Sequence, residues 1–463
     1  MGIREALKKK GYPLGDYLLR ASNDELEAYL EGASIPSAEE WAKIREELSN
    51  LGLSGILEKP EVKNGKIVVA RGKPPTPGED GRLELLVDLS HGPREVDKNR
   101  IDFREMNLVV SVKAGTPIIR HIPPKPGQPG CNIWGEVIPP PPVKDVSFNY
   151  GEGLRPDEKN EILIAERDGC LIEKQGKLNL VPTYTLEGDV DWKSGNIRFY
   201  GEKLVVTGGV KRGFKVLAEG DVEIGGGVED GTEIKVDGDL SVGGLIHGEN
   251  TFVEISGKAI IKAIEYATVK VKGSLTVKDY ILQARVKVGK NLSVIEGRGL
   301  LAAGEVEVGE GAVIKVVGNE SFMPTYIKVG HPSEIFEEIE KLKAELLLLD
   351  ETTEKLRKAM LLGLKLKKEG KLTPEKFRIL QKIQAVFREK MFEQADLQEK
   401  IKQKEEELLS YQNYTLQVLE KVYPGVRVFI GRNKYEVKSE ISGPGEFYLE
   451  DQKIKFRLLS TSR

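Results

Sequence analysis

The sequence predicts a mostly β protein with a long helical insertion. In full, that is a right-handed β-solenoid core, an α+β N-terminal region, an antiparallel αα coiled-coil hairpin and a short C-terminal β segment. Three observations carry it. Residues 188–330 repeat a two-strand unit with glycine near its centre. That stretch holds 25 of the 50 glycines, whereas 331–423 holds only Gly363 and Gly370. Residues 335–360 then keep an unbroken 4-3 apolar spacing, the seam of a coiled coil. Composition switches at His331-Pro332 and at Pro424-Gly425, so the expected divisions are 1–58, 59–187, 188–330, 331–423 and 424–463.

With 463 residues, 39% hydrophobic and 31% charged, the chain has material for about three structural units and a real core. A net charge of -3 gives no basic excess for nucleic acid. No run of about 18 apolar residues would span a membrane, and Met1–Lys10 lacks the apolar stretch of an export signal. Cys131 and Cys170 make no disulfide framework or four-cysteine zinc site, and His91, His121, His247 and His331 stand far apart. Phosphate-loop, serine-hydrolase-elbow and zinc-protease signatures are all absent. The reading is a cytoplasmic chain without catalytic residues, metal or cofactor, with no nucleic-acid partner and no integral membrane span.

Residues 1–58 read as a small helical region. Ser22–Glu25 and Ser37–Glu40 have capping-box spacing, each ahead of an apolar pattern: Leu26/Tyr29/Leu30 and Trp41/Ile44/Leu48. Over 59–187, strand-like runs such as 66–70, 83–87 and 108–112 alternate with proline and glycine. Nine prolines between 117 and 142 favour extended, polyproline-like chain. That segment reads as a rigid loop wrapping neighbouring strands, with a ligand for a proline-recognising groove as the other option.

In 188–330 the unit recurs as Val216–Ile224, Ile234–Val242, Val253–Ile261, Val269–Val277, Val286–Val294 and, more weakly, Leu301–Val308. Each copy is two short strands with a glycine at the corner (Gly220, Gly238, Gly257, Gly273, then Gly289 and Gly304). One unit cannot bury its inner face alone, but stacked copies can. Six to eight coils at about 4.8 Å make a rod of roughly 30–40 Å.

The 4-3 seam runs through Ile335, Ile339, Leu342, Leu346, Leu349, Thr353, Leu356 and Met360, and breaks at Glu369-Gly-Lys-Leu-Thr-Pro374. It resumes through Leu380, Ile383, Phe387, Leu397, Ile401, Leu408, Tyr411 and Val418, interrupted by Lys390, Gln394 and Lys404. Such an arm is roughly 55–70 Å long. Tyr326–Gly330 and Val428–Gly431 flank it and end alike, which predicts adjacent strands and an arm inserted into one β body.

Three stretches, Ser111–Gly135 (SVKAGTPIIRHIPPKPGQPGCNIWG), Val69–Gly81 (VARGKPPTPGEDG) and Gly188–Gly201 (GDVDWKSGNIRFYG), resemble the flagellar assembly protein A family. The solenoid units and Thr325–Gly330 match as well, and the likeness covers roughly 40–463. The resemblance implies a bacterial, cytoplasmic, non-enzymatic factor tied to flagellar assembly or placement, and transfers no catalytic residue. Within its motifs Gly115, Pro126, Gly127, Pro129, Gly130, Gly135, Gly195 and Asn196 are the structural positions. Gly127 and Gly130 are expected in tight turns, and Gly195-Asn196 in a turn before the first coil.

Asp221/Glu223 and Asp237/Asp239 have the spacing of a one-faced carboxylate pair, but they alternate with inward apolar residues and read as a solvated outer wall shared with Lys235, Lys270, Lys272 and Lys287. Cys131 reads as structural. The candidate interaction element is the arm: Ile335, Ile339, Leu342, Leu346, Leu349 and Leu356 on the seam, and Lys367, Lys368 and Lys371 at a basic tip suited to an acidic partner, an anionic membrane surface or plain hydration. The expectation is a scaffold or adaptor with protein partners, on the resemblance from the flagellar or polar-placement machinery, and with a homodimer left open. End-to-end self-assembly of the solenoid is the second reading, and a solenoid enzyme on carbohydrate or an acyl donor the third.

Overall fold

The computed structural model describes the chain apart from Met1, His91, Pro93, Lys98, Asn99, Phe103, Leu372, Arg432 and 460–463. His91 and tip residue Leu372 thus lie outside the described residues. Two compact units result. One comprises Met1–Asp88, Thr116–Tyr150 and Leu154–Ile164; the other comprises Leu89–Gly115, Gly151–Gly153 and Ala165–Arg463.

The first unit is built on a five-stranded antiparallel sheet. Its strands, in spatial order, are Tyr12–Leu14, Tyr17–Ala21, Glu27–Glu31, Lys66–Arg71 and Ile56–Lys63. Helices α1 (Ile3–Lys9) and α2 (Ala38–Asn50) share its core, where Leu7, Leu19, Leu30, Leu48, Val69 and Ile133 are buried. The capping box at Ser37 and Glu40 forms as its spacing predicts, and Trp41, Ile44 and Leu48 make the buried face of α2.

The expected helix after Ser22 is instead a strand. Ser22 Oγ and Asp24 Oδ1 accept from backbone N–H groups at Leu26 and Glu27, closing a turn with Glu25 at φ 57°. Glu27–Glu31 then alternates, with Ala28 and Leu30 inside. A serine followed by Glu three residues on serves a side-chain-closed turn as well as a helix start, and period-two burial decides between them. The first 58 residues are therefore mixed α/β rather than helical.

In the second unit the chain winds as a β-solenoid of about eight turns. One parallel run starts at Thr183–Leu186 and belongs to a 13-stranded sheet; the other starts at Ile197–Phe199 in a 10-stranded sheet. Register stacks like on like: Val222, Leu240, Ala259, Leu275, Leu292, Ala312 and Leu416 form one inward row, each no more than 2% exposed. A third, shorter side stacks Val190, Val210, Val228 and Ile246. Each buried aliphatic side chain contributes about 1.5–3 kcal/mol of transfer free energy, so the ladder itself holds the coil. The corner glycines are required by close stacking: a Cβ on Gly220 would lie 2.1 Å from Gly201 O.

Both ends of the stack are covered within this unit. Cys170, from a three-stranded sheet, and Val109, just before that sheet's strand Ser111–Val112, join the solenoid core at one end. At the other, the antiparallel strands Gly445–Glu450 and Lys453–Leu458 close the larger sheet.

The helical arm is an insertion between adjacent rungs. α3 (Ser333–Lys368) and α4 (Pro374–Ser410) pack together, and at 1.5 Å per residue each is about 55 Å long. Strands Thr325–Val329 and Val426–Ile430 pair in parallel, Tyr326 opposite Arg427 and Val329 opposite Ile430, as their likeness predicts. Two seam assignments fall outside the helix, Tyr411 at the start of a short 3-10 turn and Val418. α4 stops at Ser410, and Val418 lies on strand Leu416–Val422, fully buried as a solenoid rung. Seven-residue spacing from Tyr411 mimicked a heptad there, while the local alternation of Leu416 and Val418 is that of a strand.

Candidate interaction surfaces

The proline-glycine motifs come together in the first unit, but not as turns. Segments Lys73–Glu79 and Lys125–Cys131 run antiparallel and join at every third residue: Lys73 with Cys131, Thr76 with Gln128, Glu79 with Lys125. Lys73 and Cys131 exchange two 2.8 Å backbone hydrogen bonds, and Thr76 N donates to Gln128 O at 3.0 Å. A polyproline II chain has three residues per turn, so one backbone donor per turn faces the neighbour while Pro126 and Pro129 keep the chain extended. Between those contacts the backbones touch. A Cβ on Gly130 would sit 2.1 Å from Lys73 O, and one on Gly127 would sit 2.2 Å from Thr76 O and 2.8 Å from Pro140 Cβ. The tight-turn reading of Gly127 and Gly130 is thus corrected: they are glycine because two extended chains leave no room for a side chain. The proline segment wraps its neighbours, as one of its two readings held.

The motif continues into an Asx turn. Asn132, 7% exposed, accepts from Trp134 N and Glu136 N through Oδ1 and donates to Glu136 through Nδ2. Gly135 closes the turn at φ 77°. Arg4 bridges Glu136 and Glu25, and Lys8 reaches Glu25 at 2.9 Å. Burial pushes the Glu25 carboxyl up, but these two cations outweigh it and hold the group below its ordinary value.

Gly115, Gly195 and Asn196 fall in the second unit. Gly115 N donates to Ala165 O. Gly195 sits at φ 72° with its Cα facing Arg104 O, a place only glycine fits, and Asn196 Oδ1 accepts from Lys215 N at 2.9 Å. The turn therefore lies inside the first coil, tying it to the next.

The acidic pairs on the solenoid have a structural use that their spacing did not reveal. Asp221 Oδ1 accepts from Asp239 N at 2.8 Å, and Asp239 Oδ1 in turn accepts from Lys258 N at 2.7 Å. Asp189, Asp279 and Asn291 do likewise for Gly209, Arg298 and Gly311. Each caps a backbone donor 18–20 residues on, where the corner interrupts the ladder. Glu223 pairs with Lys203. On the second sheet Lys235, Glu254, Lys270, Lys287, Glu307 and Lys328 stand in successive register. Among the described residues no group of three or more His, Cys, Asp or Glu side chains is placed to hold a metal ion. Burial pushes the Cys170 thiol up to about 12, and Cys131 is half-buried.

The arm is anchored where it leaves the solenoid. Glu307, 8% exposed, accepts from Lys328 Nζ at 2.6 Å and from Ser333 Oγ, the first residue of α3. Burial raises the Glu307 pKa, yet Lys328, Ser333 and the nearby Lys287 outweigh it and hold the group at about 2. Lys287 also reaches Glu337 on the arm, and His331 stacks on Phe336 at 4.0 Å between ring centroids.

Beyond the anchor the seam residues face α4. Ile335 and Ile339 are buried, and Leu342, Leu346, Leu349 and Leu356 half-buried. The polar seam positions are partnered: Gln394 donates to Asp350 across the pair, and Lys404 reaches Glu338. The tip lysines Lys367, Lys368 and Lys371 are exposed; Lys367 lies over the Phe377 ring and Lys371 pairs with Glu369. The pattern of the seam says nothing of the outer faces. There Leu347, Leu348, Leu361 and Leu362 are 53–66% exposed, and Phe392 is 77% exposed. Among the described residues no helix is long and apolar enough to cross a membrane.

Two family models match this chain. The flagellar assembly protein A N-terminal region matches residues 18–176, and the flagellar assembly protein A β-solenoid domain matches residues 182–454. No curated protein and no solved structure matches. The solenoid model spans more than half of the chain, including the rungs on both sides of the arm, and so the chain belongs to the flagellar assembly protein A family.

Proposed function

We propose that this protein is a non-enzymatic cytoplasmic adaptor in flagellar assembly or placement, with the solenoid as a rigid mount and the arm as the element that contacts other proteins. One observation carries the reading. A helix pair fixed to its mount by a half-buried Glu307–Ser333 contact leaves large apolar side chains in solvent on faces that α3 and α4 do not use for each other. Clustered exposed apolar side chains mark protein-binding surfaces. The family supplies the biological setting.

The test is deletion of the protein in its host, followed by return of the intact chain or of one with Ser333–Ser410 replaced by a short glycine-serine linker. The linker must stop before Leu416, because Leu416–Val422 is a solenoid rung. The expected result is missing or misplaced flagella, restored by the intact chain alone. Normal flagella on the deletion strain would overturn the setting, and full restoration by the arm-less chain would overturn the role of the arm.

A further inference from the structure

We propose that the outer face of α3 pairs with α3 of a second copy of this chain, antiparallel, about a two-fold axis between Glu354 and Lys355. This rests on the arm being the contact-making element, and it names the first of its partners.

The outer face of α3 is symmetric in its leucines and opposite in charge between its two halves. Leu347 and Leu348 open it, Glu351 and Glu354 follow, then Lys355 and Lys358, and Leu361 and Leu362 close it. The leucines are 62%, 66%, 53% and 61% exposed. Steps of seven residues keep these positions on one face of the helix, drifting by only about 20° per step. Reversing one helix on the other sets Leu347 against the second copy at Leu362, Leu348 at Leu361, Glu351 at Lys358 and Glu354 at Lys355. Symmetry repeats every pair, as an isologous contact requires. A parallel pairing would instead set Glu351 against Glu351 and Lys355 against Lys355.

Charge along the whole arm points the same way. Residues 354–390, the outer half, carry twelve Lys or Arg against four Asp or Glu. The inner half, 333–353 with 391–410, carries five against thirteen. Antiparallel arms lay the basic outer half of each over the acidic inner half of the other, whereas parallel arms stack like on like. The leucine segment starts about 20 Å along α3 from Ser333, and two leucines from each copy meet at each of its ends, either side of the charged centre. Glu354 pairs with Arg357 and Lys358 along its own helix, an exposed contact that costs little to exchange.

Sedimentation of the full chain from about 1 to 100 μM tests this, because a dimer must form by mass action. The expected result is a monomer–dimer equilibrium. Leu348→Glu with Leu361→Glu should weaken it by more than about 100-fold while the helical circular dichroism signal stays that of the wild type. Two charge variants check the register. Glu351→Lys with Glu354→Lys, and Lys355→Glu with Lys358→Glu, should each be monomeric alone and dimeric when mixed. A wild type that stays monomeric, a dimer that survives in the folded leucine variant, polymers larger than a dimer, or a mixture that fails to pair would each overturn the proposal. A monomeric wild type that still needs its arm for flagella would leave the adaptor reading standing.

Discussion

Glu307 shows how a single carboxylate fixes the arm. It is taken out of water, which disfavours its charge, and it keeps that charge because Lys328 and Ser333 bond to it and Lys287 faces it. Its pKa in the fold, about 2, lies below the unfolded value near 4.5. Its stabilisation is therefore present in full above pH 4.5 and is lost as pH falls toward 2. Glu307→Gln is expected to destabilise the solenoid end that carries the arm by on the order of 2–3 kcal/mol at pH 7. Chemical denaturation of both chains at neutral and acid pH reads this out, with the difference shrinking as pH drops through that window. None of this was legible in the sequence, where Glu307 is one more charge alternating along a strand. The corner glycines were legible, because a glycine that recurs between apolar pairs marks a place where backbones approach closely in every copy. The role of Gly127 and Gly130 was not. Proline and glycine in alternation suit a turn and a paired polyproline helix alike, and only the partner chain at Lys73–Glu79 distinguishes them.

At the scale of elements, the seam of the arm could be read almost to its end, since an apolar residue every three or four positions means one helix face. The same rule failed at Ser22 and at Val418, where a helix-like spacing coincided with a strand that alternates. The energetics of the pair differ from those of the solenoid. Along the arm only scattered seam positions such as Leu380, Leu397 and Ile401 are buried, whereas the solenoid buries a row on every side. The arm should therefore be the softer element. Leu397→Ala removes a side chain that is 8% exposed and is expected to cost about 2–4 kcal/mol. Hydrogen exchange should show that loss as faster labelling of α3 and α4 with the solenoid strands unchanged. What no seam pattern could reveal is the outer face of α3, because an exposed leucine carries no period of its own.

For the molecule as a whole, the arm is cargo carried by a solenoid that is complete without it. Ala312–Val317 pairs directly with Leu416–Val422, and Thr325–Val329 with Val426–Ile430, so backbone ladders cross the insertion on both sheets. Both ladders span roughly a hundred residues of sequence; the one between Thr325–Val329 and Val426–Ile430 could be anticipated from two similar flanking segments, whereas Leu416–Val422 was hidden by the helix-like spacing of Val418. Hydrogen exchange on the intact chain, and on one with Ser333–Ser410 replaced by a short linker, tests that independence directly. A self-sufficient solenoid keeps the protection of Ala312–Val317, Leu416–Val422 and Val426–Ile430 unchanged in the arm-less chain. Loss of that protection would contradict it, because the arm would then be part of what holds the solenoid together rather than something the solenoid holds out.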